Sequence, residues 1–301
     1  MVALKSGHPE SSVRRLTDRQ FAYLLVIPLV AFEFALVLYP MTQSFLISLS
    51  TYDVSGTKPT FVGLQNYVDA FFDPYVQRAT VVSMQFACTV VALSVLVGLG
   101  VALLLNEELR GRAIVRVLAL LPWAIPEFSV GIIFSYIFSN VLGTLNGLLY
   151  SLGLIRSYTS FLNPDLAVYI VALAFVWHYS PLASFFFLGA VQTIPADLYK
   201  QAKIDGAGMV RRFRVVTLRF LRYPLLIVLV LATVEALRAF DIIFVLTYGG
   251  PAGSTSTLSY LIYTETFRTL QMGYGATISW YLALVTFIVT SLYFILIGRW
   301  R

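Results

Sequence analysis

Five ionisable residues, Glu33, Glu127, Glu235, Arg238 and Asp241, sit inside long apolar runs of the chain. A charge in such a run costs about 2.5–3.5 kcal/mol on membrane-insertion scales, so these groups must face protein or water. Glu235 and Arg238 are three residues apart, which puts them on one helix face within reach of an ion pair. Asp241 lies three further on, placed to share Arg238. Two readings stay open: a polar wall along a path through the membrane, or a structural ion pair locking its helix to a neighbour. Glu127 follows Pro126, near the path or near an interface. Trp177, His178 and Tyr179 supply aromatic faces next to hydrogen-bonding groups, a combination that suits polyhydroxylated ligands. With aromatics at 15% of the chain, plain packing is the competing reading. Other chemistry is missing. Cys88 is the one cysteine, so no intrachain disulfide forms. His8 and His178 make no metal site between them, and zinc spacing, phosphate loop and nucleophile elbow are absent from the sequence. No catalytic and no metal-binding residue is assigned.

The elements that carry these residues follow from composition. The 301 residues are 58% hydrophobic and 12% charged, with a mean hydropathy of +0.81. A soluble domain carries about 25% charged residues. Too few charges remain to coat a water-facing surface, so most of this surface meets lipid. A bilayer core of roughly 30 Å takes about 20 apolar residues as a helix. Six runs qualify, at about 21–38, 80–105, 113–138, 166–192, 224–247 and 274–297. The first is longer than a signal-peptide core and has no small-residue cleavage site close behind it, so it reads as an uncleaved span ending at Tyr39-Pro40. The third contains Pro122 and Pro126, which delete backbone hydrogen bonds and bend a helix. Neighbouring helices can satisfy the freed carbonyls.

Loop charges give the orientation. With the N-terminus inside, the four inner segments hold four, three, seven and two Lys or Arg, while the outer loops hold Lys58, Arg78, Arg156 and Arg268. Sixteen against four is a strong positive-inside bias, which predicts that both termini are cytoplasmic. The net charge of +6 therefore belongs to membrane orientation, and nucleic acid is not expected as a partner. In the first outer segment, Phe61 to Tyr75 has apolar residues at near-helical spacing, fitting a short interfacial helix. The expected organisation is a tail over 1–20, a first helix with its outer segment over 21–78, and a five-helix core over 79–298.

The longest inner loop, 194–222, reads as two short helices meeting at a turn. Pro195 suits a first helical turn, and Asp197 complements the positive end of the helix dipole. Asp205-Gly206 breaks the run, because glycine accepts turn dihedrals. Beyond it, Met209, Phe213, Val216 and Phe220 recur at helical spacing with arginines between them, as in an amphipathic helix with a basic flank. The Ala-rich, Gly-centred turn has the form of a docking element for another protein; an ordinary basic interfacial loop is the competing reading.

This loop resembles the EAA loop of ATP-binding-cassette (ABC) importer permeases, particularly carbohydrate-uptake permeases of the maltose and glycerol-phosphate type. Ile194-Pro195, Leu198-Tyr199, Ala202, Ile204-Asp205-Gly206-Ala207, Phe213 and Thr217-Leu218 carry the match. The similarity runs from about Phe21 to the C-terminus in ordered motifs. They include Phe61-Val62-Gly63-Leu64 with Asn66-Tyr67, Leu121-Pro122-Trp123 with Pro126, and Gly143, Asn146 and Leu152-Gly153-Leu154. Trp177 with Pro181, Arg238, Phe240-Asp241, Leu246-Thr247 and Gly249-Gly250-Pro251 follow. The resemblance implies an all-α plasma (inner) membrane protein of six transmembrane helices with the type I ABC importer permease fold. It implies that the loop is a coupling helix seated in a cleft of a cytoplasmic ATPase, involving Lys200, Ala202, Asp205, Gly206, Ala207 and Phe213. Ala202 and Gly206 would allow close seating and Asp205 would shape the turn. The chain departs from the pattern at Lys200, where the family usually has Glu, and at Gln201, Arg219 and Ala79. Lys200 either removes the usual ion pair with the ATPase or implies an altered partner surface.

The implied partners are a second, non-identical permease, a dimer of ATPase subunits that binds ATP and Mg, and an extracytoplasmic substrate-binding protein. No cofactor is expected in this chain. The implied cargo is a sugar, a sugar alcohol or a glycerol-phosphate compound, with Glu127, Trp177, Tyr179, Glu235, Arg238 and Asp241 as candidates along its path. The alternative is a secondary transporter coupled to protons through Glu127, Glu235 or Asp241. A membrane-embedded enzyme is disfavoured by the missing catalytic constellation.

Overall fold

The computed structural model describes residues 17–52, 59–107 and 110–298. Lys5, His8, Arg14, Arg15, Lys58, Arg299 and Arg301, and most of the expected tail, lie outside the described residues. The chain divides into two compact units, Met1–Ile47 and Ser48–Arg301.

The first unit is dominated by helix α1, Asp18–Ser48. Thr17 and Gln20 open it with a capping box, each side chain bonded to the other's backbone N–H. Its side chains from Phe21 to Leu38 are all exposed. The expected end at Tyr39-Pro40 is not an end, and the helix runs ten residues further. A π turn over Phe34–Leu38, in which Tyr39 N–H bonds back to Phe34 O, directly precedes Pro40. Local π geometry of this kind lets a membrane helix absorb a proline.

The second unit opens with a two-stranded antiparallel ribbon, β1 Ser50–Tyr52 and β2 Pro59–Phe61, with Thr51 opposite Thr60. The sequence carries no clear signal for it. Helix α2, Gln65–Phe72, fulfils the expectation of a short helix in the 61–75 segment. Its buried Asn66 donates to Ser48 O at 2.9 Å and Ser50 O at 3.1 Å, so this Asn tethers the ribbon. Helices α3 Pro74–Asn106 and α7 Ala167–Gln192 form the centre of the bundle. They approach closely at Gly98 of α3, where an added Cβ would lie 2.9 Å from Ala183 Cβ and 3.2 Å from Ser184 N of α7. Small side chains allow membrane helices to approach closely. Phe86 and Phe175 fill the remaining space edge to face at 5.8 Å.

Around this pair stand α4 Arg112–Ala124, α5 Glu127–Ile137, α6 Thr144–Ser151, and the inner-loop helices α8 Ala196–Ile204 and α9 Met209–Phe220. They are followed by α10 Arg222–Arg238, α11 Asp241–Leu246, α12 Leu258–Tyr263 and α13 Met272–Gly298. Among the described residues, four helices, α1, α3, α7 and α13, are each long and apolar enough to cross a bilayer, and counting each of the bent pairs α4/α5 and α9/α10 as one span gives six. The expected third span is thus two helices bent by 90°. Ile125, pushed to extended dihedrals (φ −80°, ψ 130°) by the proline after it, makes the corner. The expected fifth span is broken too. Ala239 is extended (ψ 121°) between α10 and α11, although no proline stands there.

Candidate functional site

Two places collect the residues singled out by the sequence. The first is the inner loop. Pro195 caps α8 and Asp197 occupies its first turn. Gly206 then takes a left-handed conformation, φ +74°. Its N–H bonds to Lys203 O at 3.1 Å, and Ala207 N–H bonds to Ala202 O at 2.9 Å. That pair of bonds is a Schellman motif, which satisfies the last carbonyls of a helix and favours glycine at the left-handed position. A Cβ added to Gly206 would meet no atom within 4 Å, so the turn stands clear of the rest of the chain. Tyr199 OH and Thr217 Oγ1, 2.9 Å apart, tie α8 to α9. Between the two helices lies a cavity of about 480 Å³ whose lining includes Ala202, Asp205, Val216 and Phe220.

Each loop residue has a defined setting. Lys200 is exposed and pairs with Asp197 on the preceding turn at 2.9 Å. Asp205 is the C-cap of α8 and is exposed, Ala207 is half-buried, and Phe213 is half-buried at the start of a π turn, Phe213–Thr217. The expected apolar face of α9 is only partly inward. Val216 is buried, but Met209 is 78% exposed. With Ile204 at 84% and Val210 at 67%, Met209 forms a bare apolar tip around Gly206. The π turn accounts for the departure, because it shifts the helical register between Met209 and Phe220.

The second place is the pair of breaks within the membrane helices. Glu127 begins α5, Glu235 and Arg238 end α10, and Asp241 begins α11. All four line one cavity of about 270 Å³, together with Ala239 and Phe240. Gly131 lets the two broken helices meet, since a Cβ there would lie 2.8 Å from Val245 Cβ. Arg238 pairs with Glu235, Nη2 to Oε2 at 2.6 Å and Nε to Oε2 at 2.8 Å. Asp241 faces the same cavity without joining that pair.

The aromatic candidates are not brought to this cavity. Trp177 packs against Phe134 at 5.7 Å on one side of α7, while Tyr179 is buried and stacked on Phe175 at 5.9 Å. His178 is buried and donates Nδ1–H to Pro122 O at 2.9 Å. It therefore satisfies a carbonyl at the end of α4, beside the corner. Sequence reasoning missed the Tyr199–Thr217 tie and an aromatic row on α11 and α12. The Phe240/Phe244 spacing of four was its available signal.

Residues 94–301 match the family described as binding-protein-dependent transport system inner membrane component. The chain belongs to this family. It is 34% identical to the trehalose/maltose transport system permease protein MalF of Thermococcus litoralis over 295 residues, covering 97% of this chain and 98% of that protein. It is 33% identical to the sulfoquinovosyl glycerol transport system permease protein SmoG of Agrobacterium fabrum, covering 92% and 90%. The sn-glycerol-3-phosphate transport system permease protein UgpA of Yersinia pestis is 33% identical, covering 92% and 94%. The fold matches a chain in the crystal structure of a bacterial ABC transporter involved in import of the acidic polysaccharide alginate. That match has a TM-score of 0.79 at 20% identity and covers 93% of this chain and 96% of the other. This transport permease is thus an integral membrane subunit with the ABC importer permease fold. The comparisons lend no support to the proton-coupled alternative.

Proposed function

We propose that the chain is one of two non-identical permeases of an ABC importer that moves a sugar or sugar-like solute, a polyol or glycerol phosphate included, into the cytoplasm. A dimer of separate ATPase subunits binds ATP and Mg and grips the 194–222 loop, and an extracytoplasmic binding protein delivers cargo to the outer loops. Both termini face the cytoplasm. Closure of the ATPases pulls on α8 and α9, and the helices rock between inward- and outward-facing states. Cargo passes the cavity of Glu127, Glu235, Arg238 and Asp241, where the breaks in α4/α5 and α10/α11 free backbone groups for hydrogen bonding.

The observation that carries this reading is the tip around Gly206. The turn satisfies its own hydrogen bonds, yet it leaves Ile204, Met209 and Val210 bare. An exposed apolar patch framed by charged residues marks an interaction surface. The names of the relatives support the cargo class, since two concern a disaccharide or a glycosyl glycerol and one a glycerol phosphate.

Gly206→Asp tests the reading. Its side chain has free space within the chain but would collide with a seated partner. We expect the variant to insert normally and to lose ATPase co-purification or cargo-stimulated ATP hydrolysis. Normal coupled transport by this variant would refute the assignment of the loop.

A further inference from the structure

We propose that Phe240, Phe244, Tyr248, Tyr263 and Phe267, backed by the buried Tyr260, form a stacking track that carries the rings of a carbohydrate cargo from the outer surface to the charged cavity. The proposal rests on the importer reading above and names the surface that reading leaves unassigned.

The track starts at Phe240, which itself lines the cavity with Glu127, Glu235, Arg238 and Asp241. Two arms leave it. Along α11, the Phe240 and Phe244 centroids are 5.3 Å apart, and Phe244 and Tyr248 are 5.0 Å apart. Along α12 and the π turn Thr264–Arg268 that follows it, Phe240 touches Tyr263 at 4.9 Å, and Tyr263 touches Phe267 at 5.7 Å. Tyr260 stands beside Phe240 at 6.4 Å, and Phe244 bridges the arms through Tyr263 at 5.4 Å. No break separates one ring from the next.

The direction of the track follows from its anchors. Leu258 N–H, at the start of α12, donates to Ser83 Oγ at 2.8 Å. Ser83 lies nine residues into α3 from Pro74, roughly 13 Å along the axis at the helical rise. At the other end, Tyr274 OH donates to Asp73, the cap of α3, at 2.7 Å. The chain between them therefore dips alongside α3 and climbs back, carrying Tyr263 and then Phe267 upward. Burial follows the same gradient. Tyr260 is 6% exposed, whereas the terminal rings Tyr248 and Phe267 are 61% and 69% exposed.

A packing cluster encloses its rings. This row is bare at its outer ends and opens on a polar cavity at its inner end. Its chemistry suits one cargo class. Aromatic faces accept the C–H face of a sugar ring without a fixed hydrogen-bond pattern, and the tyrosine hydroxyls add polar contacts along the way. Arg268, 6.0 Å over the Tyr263 ring, holds that ring by cation–π attraction. A small phosphorylated triol has no ring face to stack.

The test uses the complete complex in proteoliposomes, with its binding protein at saturation. Labelled maltose, trehalose and glycerol 3-phosphate are the probes. Phe267→Ala and Tyr248→Ala should each lower the sugar moved per ATP hydrolysed about three- to tenfold, the range expected for one lost aromatic contact. The ring-keeping variants Phe267→Tyr and Tyr248→Phe should retain wild-type coupling, which separates a lost ring from a lost fold. An unchanged ratio in the Phe267→Ala/Tyr248→Ala double variant overturns the track and leaves the importer reading standing. So does full rescue by Phe267→Leu, which restores apolar volume without a ring. A wild-type complex that moves only glycerol 3-phosphate also overturns the track alone, while one that moves no solute overturns the importer reading and the track with it.

Discussion

Arg238 is the residue whose setting is hardest to reconcile with lipid. It ends a helix that begins at Arg222, so it lies roughly 24 Å along α10, well inside the apolar slab. Its side chain is 68% exposed within the chain, and Glu235, its partner at 2.6 Å, is 29% exposed. Lipid cannot cover that guanidinium at acceptable cost, so water or protein does. The pair keeps one of the carboxylates neutralised while Glu127 and Asp241 remain available to the cavity. Removing Arg238 leaves Glu235 unpaired. A fully buried pair broken this way costs about 3–5 kcal/mol, but the exposure here reduces the figure to about 1 kcal/mol. Arg238→Met should therefore lower the unfolding temperature of the purified complex by a few degrees, with partial recovery in the Glu235→Gln/Arg238→Met double variant. A single variant as stable as wild type would mean that the pair holds no helix in place. His178 acts on the same broken region from the other side, because its bond to Pro122 O takes the place of a helical one. His178→Phe keeps the bulk and loses that bond. It should cost about 1 kcal/mol, read in the same melting experiment.

At the level of elements, the inner loop works as a lever only if α8 and α9 move together. The Tyr199–Thr217 bond and the Schellman turn are what join them. Tyr199→Phe deletes the bond without changing packing. We expect ATPase subunits still to co-purify, while cargo-stimulated hydrolysis falls about two- to fivefold, in line with the loss of one hydrogen bond. Undiminished stimulation would place the stiffness of the lever elsewhere. These two helices were legible because their signals are local: Pro195, Asp197 and Gly206 each act within a turn of their own position. The six apolar runs were legible for the same reason, since a bilayer demands a simple length. The corner at Ile125 was half legible, as prolines announce a bend but not a 90° one. The break at Ala239 was illegible. No proline or glycine marks it in the sequence, and the close approach of α5 to α11 at Gly131 joins residues far apart in the chain. Trp177 and Tyr179 have different neighbours, Phe134 and Phe175, because residues two apart on a helix point to different faces. Asn66 and Asn146 turned out to hold backbone carbonyls. Asn146 bonds Ser139 O and Thr159 O, both at 3.1 Å, which no periodicity reveals.

For the whole molecule, orientation is the assumption on which transport direction depends. Helix α3 covers 33 residues, roughly 48 Å at the helical rise, more than the roughly 30 Å hydrocarbon core. Its two ends must emerge on opposite sides. Pro74, α2 and the β1/β2 ribbon then lie on one side, and the basic 194–222 loop on the other. The charge bias predicts that the basic side is cytoplasmic. Because Cys88 is the only cysteine, Cys88→Ser gives a background without thiols, into which single cysteines can be placed at exposed sites. Tyr75 and Leu142 are 78% and 77% exposed, and the Lys200 side chain is 72% exposed. In intact cells whose outer envelope is permeable, a membrane-impermeant maleimide should label Tyr75→Cys and Leu142→Cys and spare Lys200→Cys. Opening the inner membrane should expose position 200 as well. Labelling of position 200 in intact cells would invert the protein. The aromatic row would then open on the cytoplasm, and the Gly206 tip would lie out of reach of any nucleotide-driven motor.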